Sequence, residues 1–182
     1  RAQASTMGIT AYEKGEYEMA MGGLLGAAEF GDIAGVKDSN FYFYGGSAAL
    51  QIEKWEVAAD AFQSCVDLGF NLGASAGYLS TALSKQGKTE EAEKVLQDAV
   101  KKAPENLDIL SAMINFYIDT DRSADAEKAL KAAIVLDPDN TALVYTSGNI
   151  YEQMDKIEEA KAAYNRTLEL DPNHTNAKFS MG

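Results

Sequence analysis

Asp137-Pro138-Asp139-Asn140 is followed 34 residues later by Asp171-Pro172-Asn173. Proline cannot continue a helix, and Asp and Asn favour turns, so both segments read as breaks between helical units. The third proline, Pro104, precedes Pro138 by the same 34 residues. Working outward, Ala58, Ala92, Ala126 and Ala160 recur in step, with Ala20 lying 38 residues ahead of Ala58. Two further series keep the register: Leu24, Phe62, Leu96, Leu130, Tyr164 and Ala27, Cys65, Ala99, Ala133, Thr167. A fixed period of this length marks a stacked repeat, in which one unit cannot bury its apolar face alone.

The units run over residues 1–38, 39–72, 73–106, 107–140 and 141–174, with 175–182 as the start of a truncated sixth. They are expected to form one domain over 1–182. The large residues of each series fall at helical spacing, and the small alanines let paired helices approach. Gly8, Gly46 and Gly148 share one position, where Ser80 and Ile114 predict wider helix packing. Thr89 and Ser123 stand where N-caps of second helices are expected. The first unit carries about four extra residues near 31–38, predicting a longer helix end or loop. Phe70 stands where the other units place proline.

This pattern resembles the tetratricopeptide repeat over essentially the whole chain. Val144, Ser147-Gly148, Tyr151, Ala160, Tyr164 and Pro172 carry the resemblance most completely. It implies an all-α, right-handed superhelical solenoid of about five antiparallel helix hairpins, with first helices lining a concave groove. The function implied is a protein–protein interaction scaffold that holds a peptide or protein partner. The groove positions of the family fall here on Tyr12, Phe43, Tyr44, Ser47, Tyr78, Thr81, Lys85, Asn115, Asp119, Tyr145, Asn149 and Glu152. Asn115 and Asn149 occupy the position that hydrogen-bonds a peptide backbone in related proteins. The basic clamp that some members use for acidic chaperone tails is absent: Ser5, Phe43, Gly77, Ser111 and Tyr145 stand in its place, with Asp108 nearby. An apolar peptide carrying positive charge fits this lining best.

Composition agrees. The net charge of -12 opposes nucleic acid and anionic membrane surfaces, and favours cationic or neutral partners. No apolar run approaches a membrane span of about 18 residues. One cysteine and one histidine cannot assemble a four-ligand zinc site. Asp119–Asp125 resembles the start of a calcium loop, but Ala124 replaces its glycine and Leu130 its closing glutamate. The glutamates at the starts of second helices suit the helix dipole. No motif requires a cofactor or a metal, and catalysis by the chain itself is not expected. His174 is expected to be exposed, and Cys65 a buried thiol.

Two other readings stand beside the scaffold: a recruiting or regulatory segment of a larger enzyme, and a self-associating module. A homodimer through terminal hairpins belongs to the latter. Ala2-Gln3-Ala4 suits the small-residue end of a cleaved signal. It leans the otherwise open compartment toward a bacterial periplasmic or secreted setting over a cytoplasmic one.

Overall fold

The computed structural model describes residues 2–35 and 38–181. Val36 and Lys37 of the expected insertion, Arg1, and Gly182 of the truncated sixth unit lie outside the described residues. Within them the chain forms eleven α-helices and no strand. They are α1 (Ala2–Glu13), α2 (Tyr17–Ile33), α3 (Ser39–Gln51), α4 (Trp55–Asp67), α5 (Leu72–Lys85), α6 (Thr89–Lys102), α7 (Leu107–Asp119), α8 (Ser123–Leu136), α9 (Thr141–Gln153), α10 (Ile157–Leu170) and α11 (Thr175–Met181). The chain divides into two compact units, residues 1–101 and 102–182.

The three apolar series form the buried spine of the second helices. Every member, from Ala20, Leu24 and Ala27 to Ala160, Tyr164 and Thr167, is buried. The hydroxyl of Thr167 bonds back to the Ala163 carbonyl at 2.9 Å, so its burial leaves no donor unpaired.

Each hairpin turns through the same device. Gly15, Glu53, Gly87, Asp121 and Asp155 occupy one repeat position, and all five take positive φ, between 56° and 77°. The next residue's N–H then reaches back five residues: Glu16 to Ala11, Lys54 to Ala49, Lys88 to Leu83, Arg122 to Tyr117 and Lys156 to Tyr151, at 2.8–2.9 Å. This bond closes the first helix as a left-handed C-terminal cap. The same residue opens the second helix: the carbonyls of Glu16, Lys54, Lys88, Arg122 and Lys156 accept from Ala20, Ala58, Ala92, Ala126 and Ala160. Ser123 is therefore the first helical residue and not the cap, which is Arg122. Thr89 likewise begins α6 inside the helix.

Between hairpins, Asn106 caps α7 by accepting from the N–H groups of Asp108 and Ile109. Asn140 caps α9 through Leu143, and Asp38 caps α3 through Asn40. Where Phe70 replaces proline, the chain turns instead through Gly69 (φ 66°) and Asn71 (φ 42°).

In the first unit, α1 and α2 cross almost backbone to backbone. A Cβ on Gly8 would lie 2.8 Å from Leu24 Cγ, and one on Gly23 2.9 Å from Gly8 Cα. Gly46 admits Phe62 in the same way, with a ring carbon 3.1 Å from where its Cβ would be. The four extra residues lengthen α2 to 17 residues, against 13 in α4. Four residues are close to one turn at 3.6 per turn. Tyr42 of α3 donates to the Asp32 carboxylate at the end of α2.

In the second unit, Ile109, Leu110, Ile114, Leu130, Val144 and Ile150 make the core. Gly148 receives the ring of Tyr164, whose Cδ1 would lie 2.6 Å from a Cβ there. Glu127 of α8 is bridged by Lys131 at 2.7 Å and by Lys156, in the α9–α10 turn, at 3.0 Å.

Candidate functional site

The first helices of unit 1 bring together most of the expected aromatic lining. Tyr12 of α1 meets Tyr44 of α3 edge to face, with ring centroids 5.6 Å apart. Tyr44 meets Phe43 at 5.7 Å, and Phe43 meets Tyr78 of α5 at 5.9 Å. Edge-to-face pairs of this kind contribute about 0.5–1.5 kcal/mol each beyond area burial. These contacts link the rings into one continuous row. Tyr44 and Tyr78 nevertheless stay 46% and 41% exposed, so each offers a face to solvent.

Three more rings continue the row. Tyr17 packs on Tyr12 at 5.8 Å, and Phe62 and Phe70 pack on Phe43 at 5.7 and 5.8 Å. Phe62 belongs to the buried repeat series, and Phe70 stands where other units place proline. Phe62 is fully buried and Tyr17 packs on the core of the first unit, as expected, and both rings with Phe70 also touch the lining residues.

At the α1–α3 end the rings border a cleft of 340 Å³ lined by Ile9, Tyr12, Glu13, Leu24, Asn40, Phe41 and Tyr44. Its lining is mostly apolar, with Glu13 supplying one carboxylate and Asn40 one amide. Partial burial raises the Tyr12 phenol above its ordinary pKa, while the neighbouring Ser47 hydroxyl pulls it the other way. Ser47 also bonds back to the Phe43 carbonyl at 2.8 Å, and Thr81 to that of Gly77 at 3.0 Å. Both hydroxyl protons are thus used within their own helices. Lys85 is exposed at the C-terminal end of α5.

Unit 2 carries the remaining expected residues in a different state. Asn115 and Asp119 are exposed on α7. Asn149 and Glu152 are engaged within the protein: the Tyr164 hydroxyl donates to Glu152 Oε2 at 2.8 Å and to Asn149 Oδ1 at 3.0 Å. Tyr145 stacks obliquely on Tyr164 at 5.7 Å and on His174 at 4.7 Å. His174 is half-buried and not exposed as expected. It caps α11, its Nδ1 accepting from the Ala177 N–H at 3.1 Å. The repeat explains this, because His174 stands where Asn106 and Asn140 cap earlier first helices.

Some acidic groups are paired within the protein. Asp125 accepts from Arg122 and Lys128, at 2.8 and 3.0 Å, which holds its carboxyl below the usual range. Cys65 is fully buried, 3.7 Å from the Ser39 carbonyl, and burial pushes its thiol up to about 11. Among the described residues no group of three or more His, Cys, Asp and Glu could hold a metal ion. No helix among them is long and apolar enough to cross a membrane.

Recurrent hairpins with buried small-residue series and one shared turn geometry define an all-α helical-repeat protein. Residues 83–134 and 145–174 each match a family model described as tetratricopeptide repeat, which supports a tetratricopeptide-repeat assignment. Solved structures agree in fold. YrrB, "a TPR protein with an unusual peptide-binding site", has TM-score 0.68 and 20% identity over 97% of this chain and 89% of its own. TTC0263, a thermophilic TPR protein of Thermus thermophilus, has TM-score 0.67 and 20% identity, covering 99% and 96%. A crystal structure of MamA has TM-score 0.74 and 16% identity, covering 96% and 93%. No curated protein matches the sequence.

Proposed function

We propose that this chain is a non-enzymatic interaction scaffold that binds a peptide or protein segment on its first helices. The observation that carries this reading is the aromatic row Tyr12–Tyr44–Phe43–Tyr78 beside the 340 Å³ cleft. Ordered rings with exposed faces give large contact area at small entropic cost. Glu13 in the lining and the net charge of -12 favour an apolar segment bearing Lys or Arg. YrrB, similar in fold, is described as having a peptide-binding site, which lends the reading support.

Within the second unit, taken by itself, Asn115 and Asn149 are proposed as peptide contacts. Asn115 is open to a guest, whereas Asn149 reaches one only alongside its bond to Tyr164. Selection from a random peptide library tests the proposal. Apolar sequences with basic residues should emerge, and Tyr44→Ala with Tyr78→Ala should abolish their capture while the far-ultraviolet circular dichroism stays unchanged. Selected peptides that bind this double variant as well as the parent would refute the reading.

A second reading, self-association through a terminal hairpin, is favoured by Phe179, which is 88% exposed on α11. A sedimentation-velocity concentration series with Phe179→Ser tests it; a monomer at all concentrations rejects it.

A further inference from the structure

The outward face of α2 differs from every other second helix. Met19, Gly22, Gly26, Phe30 and Ile33 fall on one stripe at helical spacing. From Met19 to Ile33 the stripe runs about 21 Å at 1.5 Å per residue. Met19, Phe30 and Ile33 are 54%, 59% and 84% exposed. A Cβ on Gly22 or Gly26 would meet nothing within 4 Å. Both glycines therefore face open space, unlike Gly8, Gly23, Gly45 and Gly46, which are explained by neighbouring helices. Glycine inside a helix is costlier than alanine, and among the described residues no neighbour lies close enough to require it at these two positions.

The repeat supplies its own control. The positions of Gly22 in later hairpins hold Asp60, Lys94, Lys128 and Ala162, and those of Gly26 hold Ser64, Asp98, Ala132 and Arg166. Where Met19 stands, the third to fifth hairpins carry Glu91, Asp125 and Glu159. Those faces are mostly polar and suited to water. At the Phe30 position stand Leu68, Lys102, Leu136 and Leu170, and Val57 takes the Met19 position in the second hairpin, so what sets the first hairpin apart is the cleared middle together with the added Ile33. The extra turn that lengthens α2 carries Ile33, the most exposed of them.

Charge decides between occupants. α2 carries Glu18, Glu29 and Asp32, and no Lys or Arg. Glu18 and Glu29 border the stripe, and neither has a basic partner among the described residues. A second copy would set these carboxylates against their like, and an anionic lipid surface would repel them.

We infer that the outward face of α2 docks an amphipathic α-helix of a partner protein, whose apolar side crosses at Gly22 and Gly26 and whose Lys or Arg residues answer Glu18 and Glu29. The two glycines let the helix axes approach closely. Met19 at one end, with Phe30 and Ile33 at the other, then grip the apolar side of the guest. This surface lies on a second helix, apart from the aromatic row of the first helices, and its occupancy is independent of the groove.

The test uses the full chain and a fluorescein-labelled amphipathic model helix with Leu and Ala on one side and Lys along its flanks. Fluorescence anisotropy should show saturable binding that weakens with added salt. Gly26→Arg, which borrows the residue of the fifth hairpin and meets no neighbour, should weaken it about tenfold or more. Phe30→Gln with Ile33→Gln should do likewise, and Tyr44→Ala should leave it unchanged. The inference is overturned if the Lys helix does not bind, if Gly26→Arg binds it equally, or if a version with Glu in place of Lys binds as well. It is also overturned if sedimentation shows a dimer that Gly26→Arg dissolves, or if vesicles containing phosphatidylglycerol occupy the face.

Discussion

Tyr164 of α10 reaches across its hairpin so that its hydroxyl lies 2.8 Å from Glu152 Oε2 of α9. Elsewhere in its series stand Leu24, Phe62, Leu96 and Leu130, which carry no polar tip. The phenol therefore needs an acceptor on the facing helix, and it takes Glu152 together with Asn149.

Burial, and then the bond to Glu152, push the Tyr164 phenol up to about 12; burial and the Asp32 carboxylate do the same for Tyr42. An unfolded tyrosine ionises near 10.0, so the stability these phenols contribute is complete below pH 10 and lost as pH rises through about 12. A tyrosinate absorbance titration of the native protein should show two late-ionising groups. Tyr164→Phe should remove one of them and cost about 1 kcal/mol in urea unfolding.

Glu53 holds the left-handed turn position that Gly15 and Gly87 fill elsewhere. That conformation costs a side-chain-bearing residue roughly 1–2 kcal/mol, and glycine far less. Glu53→Gly should stabilise the protein by about 0.5–1 kcal/mol, and Gly87→Ala should destabilise it by about 1 kcal/mol. The urea midpoint reads both.

Both aromatic members of the buried series face a glycine, Phe62 at Gly46 and Tyr164 at Gly148. Gly148→Ala should cost about 1–3 kcal/mol, because the added methyl collides with the ring. Tyr164→Leu, which copies Leu130, should recover much of that loss. Strict additivity of the two changes would show that the ring is not the obstacle.

Lys131, then Lys156, hold the Glu127 carboxyl below its ordinary 4.5. The stability from this cluster is present above pH 4.5 and falls as pH drops through the lowered value. Glu127→Gln should cost about 0.5–1 kcal/mol near neutrality. It should also flatten the acid limb of a stability–pH curve measured by denaturant.

Much of the fold was legible because its signals are local and repeated. Pro138, Pro172 and the alanine series fix where helices break and which side is buried, and each recurs often enough to exclude chance. The turn position was harder to read. Glu53, Asp121 and Asp155 share a conformation with Gly15 and Gly87 but little chemistry, so only the backbone unites them. The site was legible by position and not by state. The place of Asn149 on α9 follows from the period, but its capture by Tyr164 depends on one hydroxyl that most of the series lacks. His174 misled for a similar reason, since imidazole accepts a backbone N–H as asparagine does but is seldom read as a cap. The outward face of α2 left no motif at all. Its glycines look like ordinary close-packing residues until the space beside them is seen to be vacant.

The longer α2 shows how such an array tolerates growth. Four added residues advance a helix by just over a full revolution, about 400°, so side chains roughly keep their bearing and the hairpin gains reach with little turning of its faces. Two added residues would swing the end of the same helix by about 200°, exchanging inside for outside. Insertions in proteins of this design should therefore arrive in multiples near a whole turn, much as a screw advances only by its thread.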